Sequence, residues 1–115
     1  MHQDPNCIFC KIVAGQIPSK KVFEDEDLLV FHDTNPWAPV HVLVIPKRHI
    51  ATHYDVAPED SAVLGRMLAL APKLMRELGV VNGFRTLINT GEDGRQEVQH
   101  LHMHVMGGPR PWLRG

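Results

Sequence analysis

Apolar positions along this chain follow two periods. Leu101, Met103 and Val105 alternate with His100, His102 and His104, a period of two that predicts a strand with its histidines on one face. A helix would scatter the three imidazoles around its axis. Leu28-Leu29-Val30-Phe31-His32, ending at Asp33, and His41-Val42-Leu43-Val44-Ile45, closed by Pro46, are short apolar runs that read as buried strands. Lys21–Glu24 and Phe84–Asn89 read as two more, with Asp25-Glu26-Asp27 as a charged hairpin tip and Thr90 to Arg95 as a glycine-bearing loop. Between the early and late strands, Val63, Met67, Leu70, Leu74 and Leu78 recur three or four residues apart, while Arg66, Lys73, Arg76 and Glu77 are left for solvent. That spacing predicts an amphipathic helix opening at Ala57-Pro58-Glu59-Asp60 and ending near Gly79, with a kink at Pro72. A shorter helix is predicted from Ile8 to Ala14, stopped by Gly15 and Pro18. The sum is an α+β domain: a mostly antiparallel sheet with a long helix inserted between its strands.

Length changes the picture only by limiting it to one domain, residues 1–115. A formal net charge of -1, with 22% charged residues, offers no global attraction to nucleic acid or to an anionic membrane. The chain has no long apolar run, and Met1-His2-Gln3-Asp4-Pro5 lacks a basic stretch followed by an apolar one. A cytoplasmic protein with neither a membrane nor a nucleic-acid partner is therefore expected. No P-loop and no Gly-x-Gly-x-x-Gly opening a helix is present, so a nucleotide must be held by some other device.

Three alternating imidazoles are costly core material, because each buried ring needs partners or a shifted pKa. They read as a metal site, as a histidine nucleophile, or as an alternating surface strand. Cys7 and Cys10, the only cysteines, are in Cys-x-x-Cys spacing. They read as half a zinc site, as a redox pair, or as two inert core residues, and a zinc site needs two further ligands. Lys47-Arg48-His49 is a cationic turn, a solvated face from which His49 alone could point inward as a ligand.

Taken together, His100-Leu101-His102-Met103-His104-Val105-Met106, Phe31-His32-Asp33, Pro39 to His49, Asn89 and Gln96-Glu97-Val98 resemble the histidine-triad family. The resemblance covers nearly the whole chain from Cys7. It is closest to the branch of small nucleotide-binding proteins that act as purine nucleoside phosphoramidase-like hydrolases. It implies a fold with one long and one short helix and a homodimer whose sheet continues across two subunits. It further implies His104 as nucleophile, His102 as a phosphate-contacting neighbour, His41 beside the reacting phosphate and His100 as a structural or metal-linked member. Asp33 is implied at the ribose hydroxyls and Asn89 near the phosphate, with Phe31, Ile45 and Ile12 as candidates for the base pocket. Some members bind structural zinc at the positions of Cys7, Cys10, His49 and His100; no cofactor is implied for the chemistry itself.

The implied reaction is hydrolysis of a purine nucleoside 5′-phosphoramidate to a nucleoside monophosphate and an amine through a nucleotidyl-histidine. A neutral imidazole can attack phosphorus when an acceptor holds the proton on its other nitrogen and so fixes the tautomer. Two other readings are a nucleotide-binding or regulatory protein with incidental turnover and a dinucleoside polyphosphate hydrolase. Glu97 departs from the serine of familiar eukaryotic members and resembles bacterial ones. An ionised carboxylate accepts but cannot donate a hydrogen bond and repels an anionic phosphate, so Glu97, placed among the nucleotide-binding residues by the resemblance, either swings away, pairs with Arg95 or favours a cationic leaving group. Arg85 and the apolar helix positions are candidate dimer contacts. Trp112 either approaches an active site or caps the local core.

Overall fold

The computed structural model describes residues 3–113; Met1, His2, Arg114 and Gly115 of the expected domain lie outside the described residues. Five antiparallel strands form one sheet in the order β1-β2-β3-β5-β4. They are β1 (Lys21–Glu24), β2 (Leu28–His32), β3 (Val40–Pro46), β4 (Phe84–Leu87) and β5 (Met103–Gly107). Helix α1 (Ile8–Val13) precedes them, and α2 (Ser61–Glu77) is inserted between β3 and β4. The α+β architecture with one long and one short helix is as the residue pattern indicates.

The sheet is covered on both faces, which is why β2 and β3 are apolar runs with no polar alternation. Leu28, Val30, Val42, Val44, Met103 and Val105 meet Met67, Ala71, Leu74 and Met75 of α2. Their neighbours Leu29, Phe31, Leu43 and Ile45 turn to the other face and meet Cys7, Phe9, Cys10 and Ile12 of the α1 segment. Leu74 is wholly buried in the first cluster. Leu74→Ala is expected to cost about 2–5 kcal/mol, read as a lower midpoint in urea unfolding with an unchanged slope.

Several expected boundaries shift. Pro58–Asp60 forms a 3-10 turn before α2, because the buried Asp60 carboxylate is held by the Ala57 N–H at 2.9 Å and by Arg48. The helix then runs through Pro72 without ending. Pro72 takes the helical donor from the carbonyl of Leu68, an exposed position where water can replace it. The histidine strand is also shorter than its alternation predicts. It starts at Met103, since the Leu101 N–H is taken at 2.7 Å by Ile50 O, outside the sheet. The alternation of faces persists regardless: Met103 and Val105 join the α2 cluster, while the histidines lie on the α1 side. The strand expected over Phe84–Asn89 ends at Leu87. No helix of the described residues is long and apolar enough to cross a membrane.

Candidate functional site

Residues 41, 43 and 45 share one face of β3, and the register that sets Leu43 opposite His104 puts His104 beside His41 on that face. Their rings meet, with His41 Nε2 2.9 Å from His104 Nδ1. A third group assigns the proton between them. The backbone N–H of Trp37 donates to His41 Nδ1 at 3.0 Å, so the hydrogen of His41 is on Nε2 and is donated to His104 Nδ1. In neutral His104 the hydrogen is then on Nε2, which is a donor.

His102 has the opposite tautomer. Its Nδ1 lies 2.7 Å from His100 O, and a carbonyl only accepts. Nδ1 therefore carries the hydrogen and Nε2 the lone pair. The lone pair thus lies on the ring that the resemblance implies as neighbour, and the N–H on the ring that it implies as nucleophile. His104 presents an N–H where an attacking nitrogen is needed, and His102 presents the lone pair. Burial is the main cause that lowers the pKa of all three rings. It takes His104 to about 4, helped by the nearby His102 and His41, and it also lowers His102 and His41 against the charge of Asp33. All three are therefore neutral at pH 7.

These shifts make stability pH-dependent. An unfolded histidine titrates at its ordinary 6.5 while the folded ring resists the proton, so the unfolded state binds more protons below that value. The stabilisation is complete above pH 6.5 and is lost progressively as pH falls towards about 4. Thermal midpoints measured across that window are expected to drop with acidity, with a shallower slope in His104→Asn.

Asp33 stands beside His41, its Oδ2 3.4 Å from Nε2, while Oδ1 accepts the Asn35 N–H at 2.8 Å. Asp33, His41 and His104 thus form one cluster. Glu97 is exposed, and its negative charge acts on His102. Asn89 is half-buried just past β4, where Leu87 opposes His104 and the chain continues towards the level of His102. The proposed base contacts fare differently. Ile45 is 0% exposed and is a core residue with no surface to offer, which corrects its assignment to the base pocket. Phe31, 5% exposed, and Ile12 also belong to the α1-side core, where Phe31 packs edge-on against Phe9 with ring centres 5.4 Å apart.

Trp37 is the functional residue that the sequence pattern did not single out. Its N–H sets the tautomer of His41, and its ring lies nearly parallel to that of His104, 6.4 Å between centres and 19° between planes. A backbone donor leaves no mark in sequence, and the flanking Pro36 and Pro39 indicate only a stiff loop. The C-terminal tail closes on that loop through Leu113 N–H to Trp37 O at 2.7 Å. Trp112 caps the tail locally by donating its indole N–H to Gly108 O at 2.9 Å.

The second cluster is built from three distant segments. Cys7, at the N-cap of α1, and Cys10 meet His49 and His100. His100 Nδ1 lies 3.3 Å from Cys7 Sγ, 3.6 Å from Cys10 Sγ and 3.3 Å from His49 Nδ1, and His49 Nδ1 lies 3.4 Å from Cys10 Sγ. His100, 0% exposed, donates Nε2–H to Pro46 O at 2.7 Å, which leaves Nδ1 as a lone pair aimed at the thiols. The thiols are free, and N–H groups of Cys10 and Asp4 point at Cys7 Sγ and Cys10 Sγ. These four side chains could hold a metal ion.

The family model described as scavenger mRNA decapping enzyme C-terminal binding matches residues 6–112. Protein HitA of Neisseria gonorrhoeae is 50% identical over 104 residues, 90% of this chain and 97% of the relative. A HIT-like protein of Synechocystis is 45% identical over 109 residues, 94% of this chain and 96% of its own. Among solved structures, a histidine triad protein from Clostridium difficile superposes with a TM-score of 0.90 at 42% identity, over 95% of this chain and 96% of that one. A HIT family hydrolase from Legionella pneumophila gives 0.88 at 47% identity, over 91% and 95%. The alternating histidines, the fold that presents them and these likenesses agree: the chain belongs to the histidine-triad (HIT) superfamily.

Proposed function

We propose that this protein hydrolyses purine nucleoside 5′-phosphoramidates through a nucleotidyl intermediate on His102. The observation that carries the reading is the hydrogen bond from His102 Nδ1 to His100 O, which leaves Nε2 unprotonated in a ring that burial keeps neutral. In the first half-reaction Nε2 forms a bond to the α-phosphorus and the P–N bond to the amine breaks, its electron pair leaving on nitrogen. The His104 Nε2–H, held in that tautomer by His41, donates to a nonbridging oxygen as charge grows there. A proton must reach the departing nitrogen. No neutral imidazole of the site can give one without becoming an anion, so it comes from solvent or arrives on the substrate nitrogen. Water then attacks phosphorus, the P–Nε2 bond breaks with its electron pair returning to His102, and the water gives up a proton to solvent as the nucleoside monophosphate leaves.

In this reading Asn89 is a phosphate ligand, Asp33 reaches the ribose, His41 acts as a positioning residue through His104, and the Phe31 side borders the base. Glu97 favours a neutral or cationic leaving group, since its carboxylate repels a second phosphate. That disfavours dinucleoside polyphosphates. A regulatory protein that only binds nucleotide would have no use for the His102 tautomer.

We further propose structural zinc at Cys7, Cys10, His49 and His100. A tetrahedral zinc bound at about 2.3 Å by sulfur and about 2.0 Å by nitrogen spaces its ligand atoms by roughly 3.3–3.8 Å, and the four nitrogen and sulfur separations above fit that cage. Zinc there would tie the N-terminal segment to the sheet and occupy His100, leaving the reaction to His102 and His104. The exposed outer edge of β4, with Phe84 and Arg85, is where a second copy would extend the sheet into a homodimer, and a cytoplasmic location suits reduced thiols.

Mass spectrometry of protein quenched during turnover of adenosine 5′-phosphoramidate tests the mechanism. A nucleotidyl group on His102 is expected. An adduct on His104 would reverse the assignment, and tight nucleotide binding with no amine released would put the binding-protein reading first.

A further inference from the structure

Gln96 is 9% exposed, and every polar atom of its carboxamide is engaged. Oε1 accepts the Gly91 N–H at 3.0 Å, and Nε2 donates to Ala51 O at 2.7 Å and Val98 O at 2.9 Å. Its backbone N–H returns to Gly91 O at 3.0 Å, so Gly91 and Gln96 are paired twice. The loop between them is wound tightly. Gly91 and Arg95 take positive φ, and a Cβ on Gly94 would lie 2.3 Å from Thr90 O. One amide thus joins three pieces of backbone: the turn after Asn89, the bent approach to His100, and the segment that follows His49. The Leu101 N–H to Ile50 O bond runs alongside it. Asn89 and Glu97, the two residues proposed to face the phosphate and the leaving group, are the immediate flanks of this knot.

We propose that Gln96 is a positioning residue, which fixes the Thr90–Arg95 turn against Ala51 so that Asn89 is held at the phosphate beside His102. The inference rests on the phosphoramidase reading for its consequence in turnover. Its structural content does not. Gln is suited to the position because two donors must meet two carbonyls while one acceptor meets an N–H on the third side. Glutamate would set an oxygen against the carbonyls of Ala51 and Val98, and methionine would fill the volume and make none of the three bonds.

The test uses the full chain and the series wild type, Gln96→Met, Asn89→Ala and the double variant, with adenosine 5′-phosphoramidate as substrate and AMP as the binding probe. Gln96→Met is expected to lower kcat roughly 10- to 100-fold, the scale of an ångström-sized misplacement, with the Kd for AMP changed less than about 3-fold. The two substitutions are expected to be non-additive, because Gln96 acts through Asn89. In NMR spectra, AMP is expected to shift the Asn89 side-chain amide in wild type and not in Gln96→Met. An unchanged kcat with an unchanged Asn89 shift overturns the proposal, and so do losses in kcat that multiply in the double variant. If wild type releases no amine, the phosphoramidase reading falls, and the Asn89 shift alone still decides the role of Gln96. If Gln96→Met does not fold, Gln96→Asn, whose shorter arm cannot reach all three partners, takes its place with the same criteria.

Discussion

His102→Ala is expected to abolish release of amine from adenosine 5′-phosphoramidate, lowering kcat by about 10⁴-fold or more, as loss of a nucleophile does in covalent catalysis. Nucleotide affinity is expected to change little, because the ring contributes a lone pair rather than a binding donor. His104→Ala should cost less, about 10²- to 10³-fold in kcat, the loss associated with one preorganised donor to a developing oxyanion. The order of the two effects distinguishes the tautomers. His104 receives the hydrogen of His41 on Nδ1 and shows an N–H on Nε2, whereas His102 gives its Nδ1 hydrogen to His100 O. Were His104→Ala the more damaging of the two, with the adduct on His104, the His41 bond would have to run the other way. That would need a proton on His41 Nδ1, where the Trp37 N–H already points. Rapid-quench measurement of both variants in single turnover separates attack on phosphorus from hydrolysis of the intermediate.

The faces of the sheet were legible because burial on both sides writes β2 and β3 as unbroken apolar runs, and because Met103 and Val105 alternate with their neighbours. The extent of the last strand was not. Leu101 has the right character for the ladder, yet its N–H is taken by Ile50, a residue about fifty positions away that no local pattern indicates. The four possible metal ligands could be named from residue type and resemblance, but that Nδ1 of both His49 and His100 faces the thiols depends on Pro46 O and on how the turn after β3 folds. Roles within the triad were least legible of all. They are set by which nitrogen of each ring meets a backbone group, Trp37 N–H for one pair and His100 O for the other, and backbone groups are the same at every position of a sequence.

Removal of the proposed zinc is the second large effect expected, and it is expected in stability. Zinc would tie the segment that carries Cys7 and Cys10 to those that carry His49 and His100, and the donor set is costly when empty. Burial pushes the Cys10 thiol up to about 11 and His100 down to about 4, so the apo cluster packs neutral, weakly bonded groups against one another. With free zinc at 100 to 1,000 times its Kd, binding to the folded state alone adds about 3–4 kcal/mol. At about 4 °C per kcal/mol for a domain of this size, chelation or Cys7→Ser should lower the thermal midpoint by about 10–15 °C. The loss should centre on α1, whose Phe9 lies edge-on to both His100 and His102 with ring centres 5.9 and 5.2 Å away. Differential scanning calorimetry with zinc added back to the chelated protein measures this directly. A midpoint that neither falls on chelation nor recovers with zinc would make Cys7 and Cys10 ordinary core residues. A fall on chelation that Cys7→Ser does not reproduce would move the site elsewhere. Because the reaction is assigned to His102 and His104, the zinc-depleted protein kept well below its midpoint should retain the nucleotidyl adduct on His102, with its rate reduced only as far as the Phe9 wall beside that ring loosens.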